Sequence, residues 1–137
     1  MGNLLQAYKS TKYMVFKPNL VIEIGVKNDS LNDLVIQHNA TEWAYITAYN
    51  PFSRILTDVE NQERHLELKE LTSPNLTFEG HGVGTDPAWE PELSLLILGI
   101  SKEEAIVLGK RFEQNALVYG KINTVPELLI LNESLIK

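Results

Sequence analysis

A small α/β domain, with a mixed sheet and flanking helices, is the fold class that this 137-residue sequence predicts, with α+β as the alternative. Three observations predict it. Strand-like and helix-like stretches alternate through three strand-helix-strand units, the third entered and left by hairpin-like joins. Two capping boxes, Thr57 with Glu60 and Ser101 with Glu104, mark helix starts. Trp43 to Asn50 alternates with apolar groups on both faces, as a strand covered on both sides does.

The elements follow in order. Leu4 to Ser10 reads as a short helix. Tyr13 to Lys17 and Leu20 to Gly25 read as strands broken at Pro18-Asn19, a common turn pair. Ser30, with Asp33 three residues on, is the expected cap of a helix whose buried stripe is Leu31, Leu34 and Val35. Strand 43–50 places Trp43, Tyr45, Thr47 and Tyr49 on one face, and Ala44, Ile46 and Ala48 on the other. It must stop at Asn50-Pro51, because proline has no N–H for the ladder and biases the residue before it away from helix. A charged helix is expected over 55–71, with Glu60 and Arg64 at the supporting i,i+4 spacing. Leu76 to Val83 is strand-like, TDPAWEPE (85–92) is an irregular loop, and the nearly all-apolar Leu93 to Gly99 reads as the central strand. Ala105, Leu108, Gly109 and Phe112 form the buried face of the next helix, and 116–119 and 125–131 are closing strands. Strand-helix-strand units favour parallel pairing with right-handed crossovers, and that pairing is the expectation here.

Composition narrows the function classes. With 44% hydrophobic and 22% charged residues the chain has the balance of one globular domain, 1–137. No cysteine is present, which removes disulfides, thiolate metal sites and cysteine nucleophiles. A net charge of -6, with lysine and arginine scattered, argues against nucleic acid as a partner. No run approaches the roughly 20 apolar residues of a membrane span, so no membrane is expected either. MGNLLQAYKSTKY lacks an apolar signal core, and Gln6 stands where a myristoylation pattern after Met1-Gly2 needs Ser or Thr. A cytoplasmic location is therefore expected.

Chemistry-bearing motifs are incomplete. His38, His65 and His81 have no ligand-like spacing, so no metal and no cofactor is expected. Glu67-Leu68-Lys69 matches a nuclease-like E-x-K but falls within a helix, where solvated charge is the ordinary reading. GHGVG (80–84) is not G-x-G-x-x-G and precedes no helix, so it reads as a strand end or bulge. No G-x-S-x-G elbow surrounds Ser53. What remains is a set of polar and aromatic residues in turns: Asn50, Ser53, Asn61, Asp86, Trp89 and Glu90, then Gln114 and Asn115.

ITAYNPFS (46–53), Asn61, the Asp86-Pro87 to Glu90-Pro91 segment and FEQNALVY (112–119) together resemble an uncharacterised bacterial family of small single-domain proteins. That domain-of-unknown-function family is recognised by I-T-A-x-N-P, E-P-S and F-G-Q-N-A. Glu92 stands here in place of the serine of E-P-S, and Glu113 in place of the glycine of G-Q-N-A. The resemblance implies no activity; it sharpens the choice of residues.

Topology then suggests where those residues meet. If strands 43–49 and 76–83 run the same way, both end at one sheet edge. Loop 84–92 begins and ends there, and so does the start of strand 115–120, which carries Gln114 and Asn115. The first turn of helix 55–71 points to that edge beside Arg54, offering an end favourable to anions. Asp86 and Glu90 oppose a plain phosphate, so a ligand of mixed charge is expected. The leading expectation is a binding module for a small polar or mixed-charge ligand or a partner protein. The alternative is an enzyme using Asp86 or Glu90 as general base, with Asn50, Gln114 and Asn115 orienting substrate.

Overall fold

A computed structural model describes residues 2–136; Met1, which opens the Met1-Gly2 start, and Lys137 lie outside the described residues. In chain order the elements are α1 (Gly2–Ser10), β1 (Lys12–Val15), β2 (Leu20–Ile22), α2 (Asp29–Gln37) and β3 (Glu42–Thr47). A short 3-10 turn (Pro51–Ser53) leads to α3 (Asp58–Leu71), β4 (Thr77–Val83), β5 (Glu92–Leu98), α4 (Lys102–Arg111), β6 (Ala116–Lys121) and β7 (Glu127–Ile130). The strands form one seven-stranded sheet in the order β2-β1-β4-β5-β3-β6-β7, so the apolar β5 is its central strand.

Every neighbouring pair is antiparallel, which corrects the expectation of parallel ladders. The reason lies in the connections. β3 and β4, joined by α3, run in the same direction but are held apart by β5. β5 and β6, joined by α4, also run together and are held apart by β3. Each crossover skips one strand, and the other unit fills the gap. The segment β3-α3-β4-β5-α4-β6 is thus the split β-α-β arrangement of ferredoxin-like domains, extended by the β1-β2 hairpin beyond β4 and by β7 beyond β6.

Two apolar layers cover the sheet. On one face Leu31, Leu34 and Val35 of α2 pack on Trp43, Tyr45, Leu96 and Val118. On the other, Leu68 of α3 and Ala105 of α4 pack with Phe112 on Ala44, Ile46, Leu95 and Ile97. Local signals differ from expectation at three points. The cap of α2 is Asn28, whose side chain accepts from Leu31 N, because the helix starts two residues earlier than a Ser30 cap requires. The Thr57–Glu60 capping box forms, so α3 starts at Asp58 and Ile55 stays outside it. Glu60 is held by that box, and Arg64 turns away from it to donate to the carbonyls of Ala48 (2.6 Å) and Phe112.

Gly80, in the GHGVG run, lies inside β4, where a Cβ would fall 1.8 Å from the Met14 carbonyl oxygen. That oxygen accepts the Tyr45 hydroxyl at 2.6 Å, a bond that spans β5 and β4. Glycine leaves room for the tyrosine to cross.

Three stability outcomes follow. Phe112, 2% exposed, should lose about 3–5 kcal/mol on truncation to alanine in denaturant unfolding. Val107→Ala, at a position 69% exposed, should stay within about 0.5 kcal/mol. Gly80→Ala should destabilise by about 1–3 kcal/mol in the same assay, because the clash is with backbone.

Candidate functional site

The edge where β3 and β4 end is also where β1, β5 and β6 begin. It carries a cavity of about 140 Å³ on the α2 side of the sheet, beyond the reach of α2. Its floor is β-sheet: Tyr45 and Thr47 from β3, Ser94 from β5, and Ala116 and Val118 from β6. Its roof is α1, through Leu4, Ala7 and Tyr8. Loop 84–91 forms the rim with Thr85, Asp86, Trp89 and Glu90.

The Asn50–Ser53 turn shapes one wall. Asn50, Phe52 and Ser53 all have left-handed backbone, with φ of 48°, 50° and 63°. Asparagine accepts that conformation readily, whereas phenylalanine does so only under constraint from its surroundings. Here the constraint is visible. Phe52 N donates to the Glu113 carbonyl at 2.7 Å. Asn50 N donates to Asn61 Oδ1, and Asn50 Oδ1 accepts from Asn61 Nδ2, both at 2.9 Å. The same Oδ1 accepts from Leu56 N at 3.0 Å. This leaves Asn50 Nδ2 to donate to Glu92 Oε2 at 2.8 Å.

Glu92 is the acidic group of the cavity. It opens β5, and the strand's alternation puts it on the same face as Ser94 and Leu96. Burial pushes its carboxyl pKa up, against the opposing pull of the Asn50 hydrogen bond. Tyr8, across the cavity, is also raised, first by burial, with the Glu92 charge adding to it.

The sequence-predicted residues divide into three groups. Asn50, Ser53, Asp86, Trp89, Glu90 and Gln114 line the cavity. Asn61 and Asn115 stand behind it, 4% and 3% exposed, with their side chains committed to the scaffold. Asn115 Nδ2 donates to Ser53 Oγ (3.0 Å) and to the Tyr8 hydroxyl (3.3 Å), and its Oδ1 accepts from Asn132 Nδ2 (2.8 Å). Arg54 is exposed and is not part of the lining. Gln114 Nε2 donates to the Tyr49 and Phe112 carbonyls, fixing its side chain at the wall. Asp86 is exposed and accepts from Ala88 N within its own loop, and Glu90 is exposed at the rim. The carboxylate that burial sets apart is therefore Glu92, not Asp86 or Glu90.

Sequence reasoning missed Glu92 as a site residue, and it missed Tyr8 and Tyr13. Extending the alternation of Ser94, Leu96 and Leu98 back by two residues finds Glu92. Tyr8 carries no such signal, since its place depends on α1 folding back over the edge. Among the described residues no three His, Asp or Glu side chains gather as metal ligands. His65 is buried and lies 2.7 Å from Glu79 Oε2, His81 packs edge-on against Phe16, and His38 rests against Phe78. Glu67 pairs with Arg111 and Lys69 with Glu79, so the E-x-K residues act as helix-surface charge.

The Glu92 environment sets a pH signature. Its folded-state pKa lies above the ordinary 4.5, so the folded protein holds this proton more tightly than the unfolded chain does. Stability from this group is thus full below pH 4.5 and falls as pH rises through the folded value. Glu92→Gln keeps an acceptor for Asn50 and removes the charge. Its melting temperature should exceed that of the parent at pH 8, and the difference should vanish near pH 4. A variant destabilised equally at both pH values would show that charge burial is not what distinguishes this position.

No curated protein and no solved structure matches the chain. A family model described as "Protein of unknown function (DUF3293)" matches residues 46–117. That span runs from within β3 to the start of β6 and includes Asn50, Ser53, Glu92, Gln114 and the whole rim loop, while Tyr8 and Tyr13 lie outside it. With more than half of its length inside that match, the chain belongs to the DUF3293 family.

Proposed function

We propose that this protein is a small-molecule-binding domain whose ligand occupies the edge cavity between α1 and the sheet. One observation carries the reading. The cavity combines aromatic and aliphatic walls with one half-buried carboxylate, Glu92, held in place by Asn50. Ligand sites are typically concave, largely apolar and furnished with a few fixed polar groups. At about 140 Å³ the space is close to that of an engineered protein cavity that takes benzene, about 150 Å³.

A second reading, catalysis, draws on the raised pKa of Glu92, since general acids and bases are tuned by burial. Binding is preferred because no His, Cys, Lys or Arg is among the described lining residues, and the Tyr13 and Tyr45 hydroxyls are engaged by main-chain carbonyls. Asn50 and Gln114 donate to protein acceptors, which suits a fixed wall. Among the described residues no helix is long and apolar enough to cross a membrane. The net charge of -6 favours a small ligand over nucleic acid, and a cytoplasmic setting accords with the absence of cysteine.

A fragment screen by thermal shift, followed by amide chemical-shift mapping, tests this. A ligand at about 100 times its dissociation constant should stabilise the fold by about 2.7 kcal/mol. Shifts should centre on Tyr8, Thr47, Asn50 and Glu92. Ala7→Trp, which enlarges an exposed roof residue, should keep the fold and block binding. Hits that map elsewhere, or that bind Ala7→Trp unchanged, would refute the assignment. In parallel, a random DNA duplex should show no salt-sensitive micromolar binding by anisotropy.

A further inference from the structure

The walls of this cavity carry one sign of charge. Glu92 lies inside, and Asp86 and Glu90 stand at the mouth. No lysine, arginine or histidine is among the described lining residues, and none of the three carboxylates forms an ion pair among the described residues. Glu92 Oε2 receives one neutral amide donor, and no hydrogen bond among the described residues involves Oε1. A half-buried carboxylate with a single neutral donor is electrostatically incomplete, because removing a charge from water is costly unless a counter-charge meets it.

Four aromatic residues, Tyr8, Tyr13, Tyr45 and Trp89, share the lining with aliphatic and neutral polar side chains. Tyr13 and Tyr45 meet edge to face, with ring centroids 5.5 Å apart. Their hydroxyls donate to main-chain carbonyls, Tyr13 to Tyr8 and Tyr45 to Met14. With both donors engaged, what these residues can offer a ligand is ring rather than hydroxyl. The negative faces of aromatic rings attract cations, and aromatic enclosures are a recurring way to hold alkylated ammonium groups. A divalent metal ion is poorly matched, since it requires several oxygen ligands around one point and no such cluster of side chains is present among the described residues. An anion would meet three carboxylates.

We infer that the ligand of this cavity is a small organic cation, an alkylammonium group seated against Glu92 and enclosed by Tyr8, Tyr13, Tyr45 and Trp89. The inference rests on the reading of the cavity as a ligand site and narrows it to one chemical class. Glu92 supplies the counter-charge, the tyrosines and Trp89 supply the apolar enclosure, and the rim carboxylates favour entry of positive charge.

Two isosteric pairs separate charge from shape: choline against 3,3-dimethylbutan-1-ol, and butylammonium against butan-1-ol. Dissociation constants are measured at pH 8 by Trp89-region chemical shifts and by calorimetry, on the parent and on Glu92→Gln, whose fold is checked by circular dichroism. At least one cation should bind about 10-fold tighter than its neutral isostere, and Glu92→Gln should abolish the difference while leaving the neutral compound unchanged. Equal binding within both pairs would overturn the cation inference and leave the small-molecule site standing. A preference that survives Glu92→Gln would also overturn it, because the counter-charge would then lie elsewhere. If no cation binds, the inference fails. The wider reading fails with it only if the fragment screen also yields nothing in the cavity.

Discussion

The site edge depends on the side chain of Asn50. Its carbonyl oxygen holds Leu56 N and the Asn61 amide, its backbone N–H is received by the same Asn61, and its amide nitrogen reaches Glu92. Four hydrogen bonds from one residue thereby fasten the end of β3 to the approach and second turn of α3 and to the first residue of β5. A left-handed backbone at this point directs the side chain back toward its own turn, and asparagine is among the few residues that adopt it readily. The unfavourable φ values at Phe52 and Ser53 persist because this turn is held from several sides.

Much of the fold was legible because local chemistry and burial agreed. The two capping boxes, the stripe of Leu31, Leu34 and Val35, and the apolar β5 all reflect short-range rules that tertiary context did not override. Strand direction was legible too, since each helix returns the chain to run the same way. Adjacency was not. Periodicity reports which faces are buried and says nothing about which strand fills the gap beneath a crossover. Asn28 displaced Ser30 as cap for a similar reason: both residue types serve, and the choice depends on where the helix axis meets the sheet.

The site was legible to the extent that it follows from direction. Segments far apart in sequence meet at one edge because β3 and β4 end where β5 and β6 begin, and this holds whether or not the strands are neighbours. Residue roles were less accessible. Asn115 shares residue type and turn-like context with Asn50, and Asn61 shares its residue type from within α3, yet both lie behind the wall and hold it in place. Asp86 and Glu90 drew attention through the loop that carries them, while Glu92, the half-buried acid, marks the first residue of a strand. Reading 92 as loop or strand decides its face, and a shift of one residue reverses the answer.

The interleaving of the two crossovers also bears on how the chain unfolds. β3-α3-β4 on its own leaves a slot between its strands about two strand spacings wide, roughly 9.6 Å, with unpaired ladder groups on both sides. β5-α4-β6 leaves an equivalent slot. Each unit occupies the other's opening, like the teeth of two combs pushed together, so neither half has a complete sheet by itself. Such a chain has no natural place to divide. Loss of either unit exposes the main chain of the other, and the domain gains or loses its structure as one cooperative body rather than by halves.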